Sequence, residues 1–137
     1  MANLTITECH LVRFDGPADL ITGPAAETIT PGQYGRYDTT TGQITKGNAT
    51  TAGESRDGGV CIGLGGTAGV TVTLARSPAV IDVGNALSTI AYDADIYLSD
   101  TDGTLADTTG TVGTIVGTVI PAWGNTTADK LIQLKDL

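Results

Sequence analysis

The sequence contains few of the residue types that metal-dependent and nucleophilic catalysis require. It has one histidine, His10, and two cysteines, Cys9 and Cys61, that are far apart along the chain. Zinc sites are normally built from several closely spaced His and Cys ligands. The Gly-x-Ser-x-Gly turn of the serine hydrolases is also missing. We therefore expect a protein that is not an enzyme and that holds no metal and no cofactor.

Basic residues are scarce as well. Seven Lys and Arg stand against 15 Asp and Glu, giving a formal net charge of −8, and none of the seven lies between Arg76 and Lys130. Nucleic-acid binding draws most of its affinity from cations that release counterions from phosphate. No apolar run approaches the roughly 20 residues of a membrane-spanning helix. These features predict no nucleic-acid partner and no membrane partner, and we expect no small-molecule substrate.

The N-terminus carries no secretory signal of the usual kind, because polar residues interrupt the stretch after Met1. Synthesis in the cytoplasm with reduced thiols is the expectation.

What the chain has in excess is threonine and glycine. There are 24 threonines and 19 glycines, and only six aromatic residues, among 137. Such a composition is typical of many short strands joined by tight turns, and the length is that of one domain. We predict a single all-β domain over residues 1–137, a compact β-barrel-like or sandwich-like arrangement of short antiparallel strands.

Residues 29–44 can be laid over residues 90–105 without a gap. Ile29 falls on Ile90, Gly42 on Gly103 and Ile44 on Leu105. Each copy reads as a strand, a turn whose last residue is glycine, and a short return strand, followed by a β-branched strand (60–64 or 115–119) and a closing strand (70–74 or 131–134). This pattern predicts two related halves, 29–76 and 90–135, joined through 77–89. Residues 18–27 read as loop, and 47–59 as a flexible surface loop.

Two local patterns resemble ligand sites without their full signature. The glycine-rich stretch 63–69 is followed by a strand, whereas a phosphate-binding loop precedes a helix. Asp93, Asp95, Asp100 and Asp102 lack the glycine and the final glutamate of a calcium loop. Both stretches are predicted to be turns. For Asp102-Gly103 we predict a two-residue hairpin turn that needs positive φ.

Six short stretches together resemble the capsid decoration (cement, head-stabilising) proteins of tailed bacteriophages. They are Gly32-Gln-Tyr-Gly-Arg-Tyr37, Gly59-Val-Cys-Ile-Gly63 and Gly69-Val-Thr-Val-Thr73, echoed by Asp93-Ala-Asp-Ile-Tyr97, Gly103-Thr-Leu-Ala-Asp107 and Gly113-Thr-Ile-Val-Gly117. The resemblance covers roughly residues 29–135. It implies a structural virion protein on the outer surface of the mature head that binds the major capsid protein and stabilises the shell, commonly as a homotrimer.

The same resemblance implies an N-terminal arm. Residues 1–10 read as an arm or an edge strand, in which Leu4 and Ile6 alternate with Thr5 and Thr7. The candidate capsid contacts are Ala2, Asn3, Leu4, Thr5, Ile6 and Thr7. Phe14 and Trp123 are candidate interface anchors, because Trp in particular is enriched among interface hot spots. Trp123, in a Pro/Gly corner, also fits a cap on the core.

Two alternatives remain at this point. A glycan- or surface-binding β module of a fibre or adhesin would stack sugars on exposed aromatic rings, and the chain offers only Trp123, Phe14 and Tyr34, Tyr37, Tyr92 and Tyr97. A small calcium-dependent β enzyme is less favoured by the residues present.

Overall fold

A computed structural model describes residues 3–13, 20–55, 58–122 and 130–135. Within these ranges the chain forms eleven short strands and one turn of 3₁₀ helix, Ala52–Glu54. The strands are β1 (His10–Arg13), β2 (Leu20–Pro24), β3 (Tyr34–Tyr37), β4 (Ile44–Lys46), β5 (Gly59–Ile62), β6 (Thr71–Ala75), β7 (Val80–Asp82), β8 (Asp95–Leu98), β9 (Leu105–Ala106), β10 (Ile115–Pro121) and β11 (Lys130–Leu134).

The strands form two antiparallel sheets. One has the order β1-β7-β11-β10-β8-β9 and the other the order β2-β6-β5-β3-β4. Every pairing between named strands is antiparallel. The all-β prediction is therefore confirmed, and its cause is the one given by the sequence: β-branched residues in short runs, interrupted by glycine turns.

Both sheets follow one plan. We call β2–β6 unit 1 and β7–β11 unit 2; in each, the strands are ordered first, fifth, fourth, second, third, and β1 is added outside β7. The pairing register is also equivalent. The matching pairs are Tyr37 with Ile44 and Leu98 with Leu105 between second and third strands, and Cys61 with Leu74 and Val119 with Ile132 between fourth and fifth. The gap-free overlay of 29–44 on 90–105 coincides with this pairing.

The units begin earlier than the sequence pattern indicated. The first strand of unit 1, β2, lies in the stretch 18–27 that was predicted to be loop, and β7 lies in the predicted connection 77–89. β2 contains Gly23 and Pro24, which weaken its local strand signal. β7, by contrast, contains the β-branched pair Val80-Ile81, a strand signal that the division into two halves did not use. Both exist because they pair with the fifth strands β6 and β11, more than 45 residues further along the chain.

The two hairpin turns are longer than predicted. Asp38 N donates to Gln43 O (2.7 Å) and Ser99 N donates to Thr104 O (2.8 Å), so each turn encloses four residues rather than two. Only the last of these, Gly42 or Gly103, has positive φ (72° and 66°). The requirement for glycine is thus confirmed, whereas Asp102 adopts no left-handed conformation.

Successive residues of unit 1 face two different cores. Cys61 and Leu74 point into a cluster with Ile29 and Ile44, while Val60 and Ala75 join the larger cluster. The larger cluster also contains the unit 2 counterparts of Ile29, Ile44, Cys61 and Leu74. These counterparts are, in the same order, Ile90, Leu105, Val119 and Ile132. The central strand β5 is therefore buried on both faces of the sheet, which explains why Val60 and Cys61 are apolar at consecutive positions.

The edges of the unit 1 sheet meet. Ala25, directly after β2, forms a parallel bridge with Ile44 at the start of β4, and Ala26 N donates to Ile44 O (2.7 Å). First and third strands, which are the two edges of the sheet, are thereby joined. Such closure satisfies edge groups that would otherwise be open to other strands.

The left-handed position at Gly42 makes a prediction about stability. A Cβ at Gly42 would touch nothing within 4 Å, so Gly42→Ala isolates the backbone strain at φ 72°. It should lower the free energy of unfolding by about 1 kcal/mol. Gly53→Ala is the matched control, because that glycine also has open space around it but no positive φ. Equal effects of the two substitutions in urea denaturation would contradict the conformational explanation.

Candidate functional site

The N-terminal segment, residues 3–7, lies along the third strand of unit 2. Asn3 forms an antiparallel bridge with Ala106, and Leu4 N donates to Leu105 O (2.8 Å). Leu4 and Ile6 are half-buried and pack against the larger core, whereas Thr5 and Thr7 are exposed. The alternation predicted from the sequence is therefore present, in a segment with one bridge rather than a full strand. Ala2 lies outside the described residues.

Comparison with unit 1 explains what this contact does. Leu105 is the counterpart of Ile44, and the carbonyl of each accepts one hydrogen bond across the edge of its sheet. In unit 1 the donor is Ala26, just after the first strand. In unit 2 the donor is Leu4, which does not follow the first strand of the unit and lies outside the unit altogether, before β1. The N-terminal segment therefore takes the place of a closing residue.

The chain of unit 2 turns away where unit 1 closes. Leu20 and Val80 occupy equivalent positions in the two units, because each begins the first strand and pairs with the fifth. Counting onward from them, Asn85 and Ala86 are the counterparts of Ala25 and Ala26. Gly84, with φ 68° and its N–H bonded to Asp82 Oδ1 (2.9 Å), redirects the backbone just before them. Asn85 and Ala86 consequently lie across a gap from the N-terminal segment.

We call this gap the open seam. It is a hollow of about 430 Å³ between the N-terminal segment and residues 85–90, and Asp107 lines it. In the part of the chain that the structure describes, Asp107 Oδ1 is buried without a hydrogen-bond partner. A second hollow of about 230 Å³ lies on the other side of the segment, against residues 30–33 and 103–105. The segment thus lies between two spaces that it does not fill.

Two features fix the register of the segment. Asn3 Oδ1 accepts a hydrogen bond from Ser99 Oγ (2.7 Å), and its Nδ2 donates to Thr101 Oγ1 (3.3 Å). Ile6 packs on Gly32, where a Cβ would come within 2.2 Å of Ile6 Cγ2 and where φ is 86°. Any side chain at Gly32 would displace Ile6.

Sequence reasoning did not find the receiving residues Gly32, Ser99 and Leu105. One signal was available for Gly32, because the overlay of the two halves places it on Asp93. Asp93 is the one described non-glycine residue with positive φ (66°), so both copies use a left-handed residue there. The copy that touches the N-terminal segment is the one that has glycine.

The two candidate anchors Phe14 and Trp123 lie outside the described residues, and their roles stay predictions. Among the described residues, the exposed large apolar side chains are Leu64 (97 %), Val70 (47 %), Tyr37 (43 %) and Tyr92 (41 %). Lys130 Nζ lies 4.9 Å above the Tyr92 ring and also donates to Ile90 O, so one face of this ring is covered. Tyr34, one of the aromatics considered for sugar stacking, is fully buried.

A second polar cluster joins the units. Asn48 is only 7 % exposed, and its Nδ2 donates to Asp102 Oδ1 (2.6 Å) and to Glu54 Oε2 (2.9 Å). Main-chain bonds from Gly103 N to Gly47 O (2.7 Å) and from Ala49 N to Ser99 O (2.9 Å) lie alongside. The prediction of a flexible surface loop over 47–59 is therefore wrong at its start, because residues 47–49 are buried where the units meet.

The four aspartates considered as calcium ligands have separate surroundings. Asp100 accepts the N–H and the hydroxyl of Thr111 (2.8 and 2.7 Å), and these hydrogen bonds lower its pKa. Asp95 lies 3.7 Å from Lys135 Nζ, and Asp102 binds Asn48. Across the described ranges, no group of three or more His, Cys, Asp or Glu side chains could hold a metal ion.

Cys9 and Cys61 are both buried and unpaired with each other. Burial is the main cause that raises the pKa of Cys9 to about 12 and that of Cys61 to about 11. Both thiols are therefore neutral at physiological pH and serve as small apolar core residues.

Comparison with known proteins adds no relative. No protein-family model matches the chain, and neither the curated proteins nor the solved structures contain a match to it. Separately, none of the helical turns in the described residues is long and apolar enough to cross a membrane.

The inter-unit cluster predicts a charge-dependent loss of stability. Asn48→Asp replaces two donated hydrogen bonds by a third carboxylate beside Glu54 and Asp102, and should cost at least about 2 kcal/mol at pH 7. The neighbouring carboxylates raise the pKa of the introduced carboxyl in the folded state, so the deficit relative to the parent should shrink as pH falls towards about 4, the ordinary pKa of Asp. Asn85→Asp, at an exposed position, is the control and should change stability by less than about 0.5 kcal/mol. A deficit independent of pH would exclude repulsion as its cause.

The raised thiol pKa values predict the direction of an alkaline transition. Because the folded protein disfavours both thiolates, the free energy of unfolding should fall as pH rises above the ordinary value of 9.0. Subtracting the same pH series for a Cys9→Ala, Cys61→Ala variant removes the contribution of other groups.

In addition, a disulfide reagent at pH 8 should react slowly with the native protein and rapidly in denaturant. Rapid native reaction would show that the thiols are accessible.

Proposed function

We propose that this protein is a structural component of a tailed-phage virion that binds the outside of the mature capsid and stabilises it. The observation that carries the proposal is the open seam of unit 2, where the sheet edge closed in unit 1 is instead bordered by a half-exposed, extended N-terminal segment. This surface offers main-chain groups rather than reactive side chains, which suits strand addition by another protein. The resemblance of residues 29–135 to capsid decoration proteins supports the same function.

The partner would be an extended segment of the major capsid protein. In an extended chain, successive N–H groups point to opposite edges, so the Leu4 N–H faces Leu105 and the Thr5 N–H faces the open seam. An incoming strand would pair with the Thr5 edge, and one of its N–H groups would reach Asp107 Oδ1. Such a contact uses the segment where it lies and leaves unit 2 intact.

Charge and repetition support the proposal further. With a net charge of −8, decorated shells would repel each other rather than aggregate. If the protein is a trimer, as the resemblance implies, three weak strand contacts act together through a high effective concentration.

Co-sedimentation with shells of the source phage tests the proposal. We expect the protein to pellet with expanded shells and not with unexpanded ones, and Thr5→Pro to weaken binding by at least about tenfold, equivalent to about 1.4 kcal/mol. Proline at this position removes the N–H that faces the open seam, and the bond from Leu4 to Leu105 is retained.

Leu64→Ser provides the comparison, since it removes the most exposed apolar side chain without touching the seam. Its binding should stay within about twofold of the parent. Failure of the parent protein to pellet with either shell would overturn the proposed function. Equal losses in the two variants would assign the affinity to general apolar surface and not to strand addition.

A further inference from the structure

The N-terminal segment closes a sheet to which it is connected only through the rest of the chain. Leu4 and Leu105 are 101 positions apart, whereas the equivalent bond in unit 1 joins Ala26 to Ile44, 18 positions apart. Nothing in the geometry of the seam depends on the segment coming from the same molecule. The surface under the segment, which we call the acceptor site, consists of the Leu105 carbonyl, the Ser99 hydroxyl and Gly32, and it contacts Leu4, Asn3 and Ile6 in turn.

We propose that the N-terminal segment is exchanged between copies of this chain, so that the acceptor site of one molecule is occupied by the segment of another. The partner is thus a second copy, and the site consists of the Leu105 carbonyl, the Ser99 hydroxyl and the bare backbone of Gly32. The proposal concerns the protein alone and does not depend on binding to a capsid.

The contacts are of the kind that exchange requires. The described main-chain contacts of the segment with unit 2 are the bridge between Asn3 and Ala106 and the bond from Leu4 N to Leu105 O, and hollows of about 230 and 430 Å³ flank the segment. Specificity comes from the side chains, through the two hydrogen bonds of Asn3 and the fit of Ile6 on Gly32. An identical segment from a second copy would make every one of these contacts.

In the proposed exchange, Thr7 and Glu8 would serve as the hinge. Thr7 and Glu8 are exposed, whereas Cys9 is buried and its carbonyl accepts a bond from Gly63 N (3.1 Å). Six residues from Glu8 back to Asn3 span at most about 20 Å when extended. The acceptor site of one molecule must consequently lie within this distance of Cys9 in the molecule that donates the segment, which restricts exchange to closely packed copies. Repeated head-to-tail exchange of this kind closes into a ring when the rotation allows it.

The acceptor half of the proposal is tested with a variant that lacks residues 1–7 and with a labelled peptide of residues 1–8. The truncated protein should bind the peptide saturably. The full chain should bind it at least about tenfold more weakly, because its own segments occupy the acceptor sites. A peptide with N-methylated Leu4 is the matched control; it keeps every side chain and loses only the donor to Leu105. Circular dichroism of the truncated variant checks that it remains folded. No saturable binding to the folded truncated protein, or equal binding of the N-methylated peptide, would overturn the proposal.

The full chain supplies the second measurement, which also applies if the truncated variant does not fold. Sedimentation velocity should show reversible association that increases with protein concentration and that Leu4→Pro abolishes. Thr5→Pro should associate like the parent, since its lost N–H faces away from Leu105. A parent that stays monomeric at high concentration, or association unaffected by Leu4→Pro, would overturn the exchange. Because Thr5→Pro affects shell binding and Leu4→Pro affects self-association, failure of either proposal can be told from failure of the other.

Discussion

The structure depends on one constraint, which is that the carbonyl at the start of the third strand in each unit needs a hydrogen-bond donor from across the sheet edge. Unit 1 meets it within itself, through Ala26 and Ile44. Unit 2 does not, because Gly84 turns its chain away, and Leu4 supplies the donor to Leu105 instead. A buried or half-buried carbonyl without a partner is costly, so the N-terminal segment is part of the fold as well as part of the surface.

The two units share a plan but have divided its uses. The hairpin turn that ends in Gly42 is exposed. In its copy, Gly103 O accepts a hydrogen bond from Tyr34 N and Gly103 N donates one to Gly47 O, so this turn is bonded to unit 1. Asp102 gained a partner in Asn48 that Thr41, its counterpart, does not have. Similarly, Gly32 accommodates Ile6 where Asp93 stands free in solvent. One copy has become the closed scaffold and the other the platform that other segments contact.

An extended segment has two edges, and the two proposals use one each. The edge that faces Leu105 binds the segment to a unit 2, in the same molecule or another, and the edge that carries the Thr5 N–H borders the open seam. The two proposals would use these edges for different contacts, one between copies of the chain and one with a capsid shell. The absence of strong side-chain chemistry in the seam is consistent with recognition through backbone groups, in which a few side chains such as Asn3 and Ile6 set the register.

Local signals in the sequence determined the all-β class, the hairpins of both units, their internal overlay and the glycines at their turns. These follow from strand propensity, alternation and the steric freedom of glycine, each of which acts over a few residues. The alternation of Leu4 and Ile6 with Thr5 and Thr7 was likewise predicted from the sequence. Only the tertiary structure decided where that segment lies, that β2 and β7 are strands, and that Asn48 is buried. The physical reason is common to all three: hydrogen bonds to β6, β11, Asp102 and Leu105 fix these positions, and local preference cannot specify partners that lie tens of positions away in the sequence.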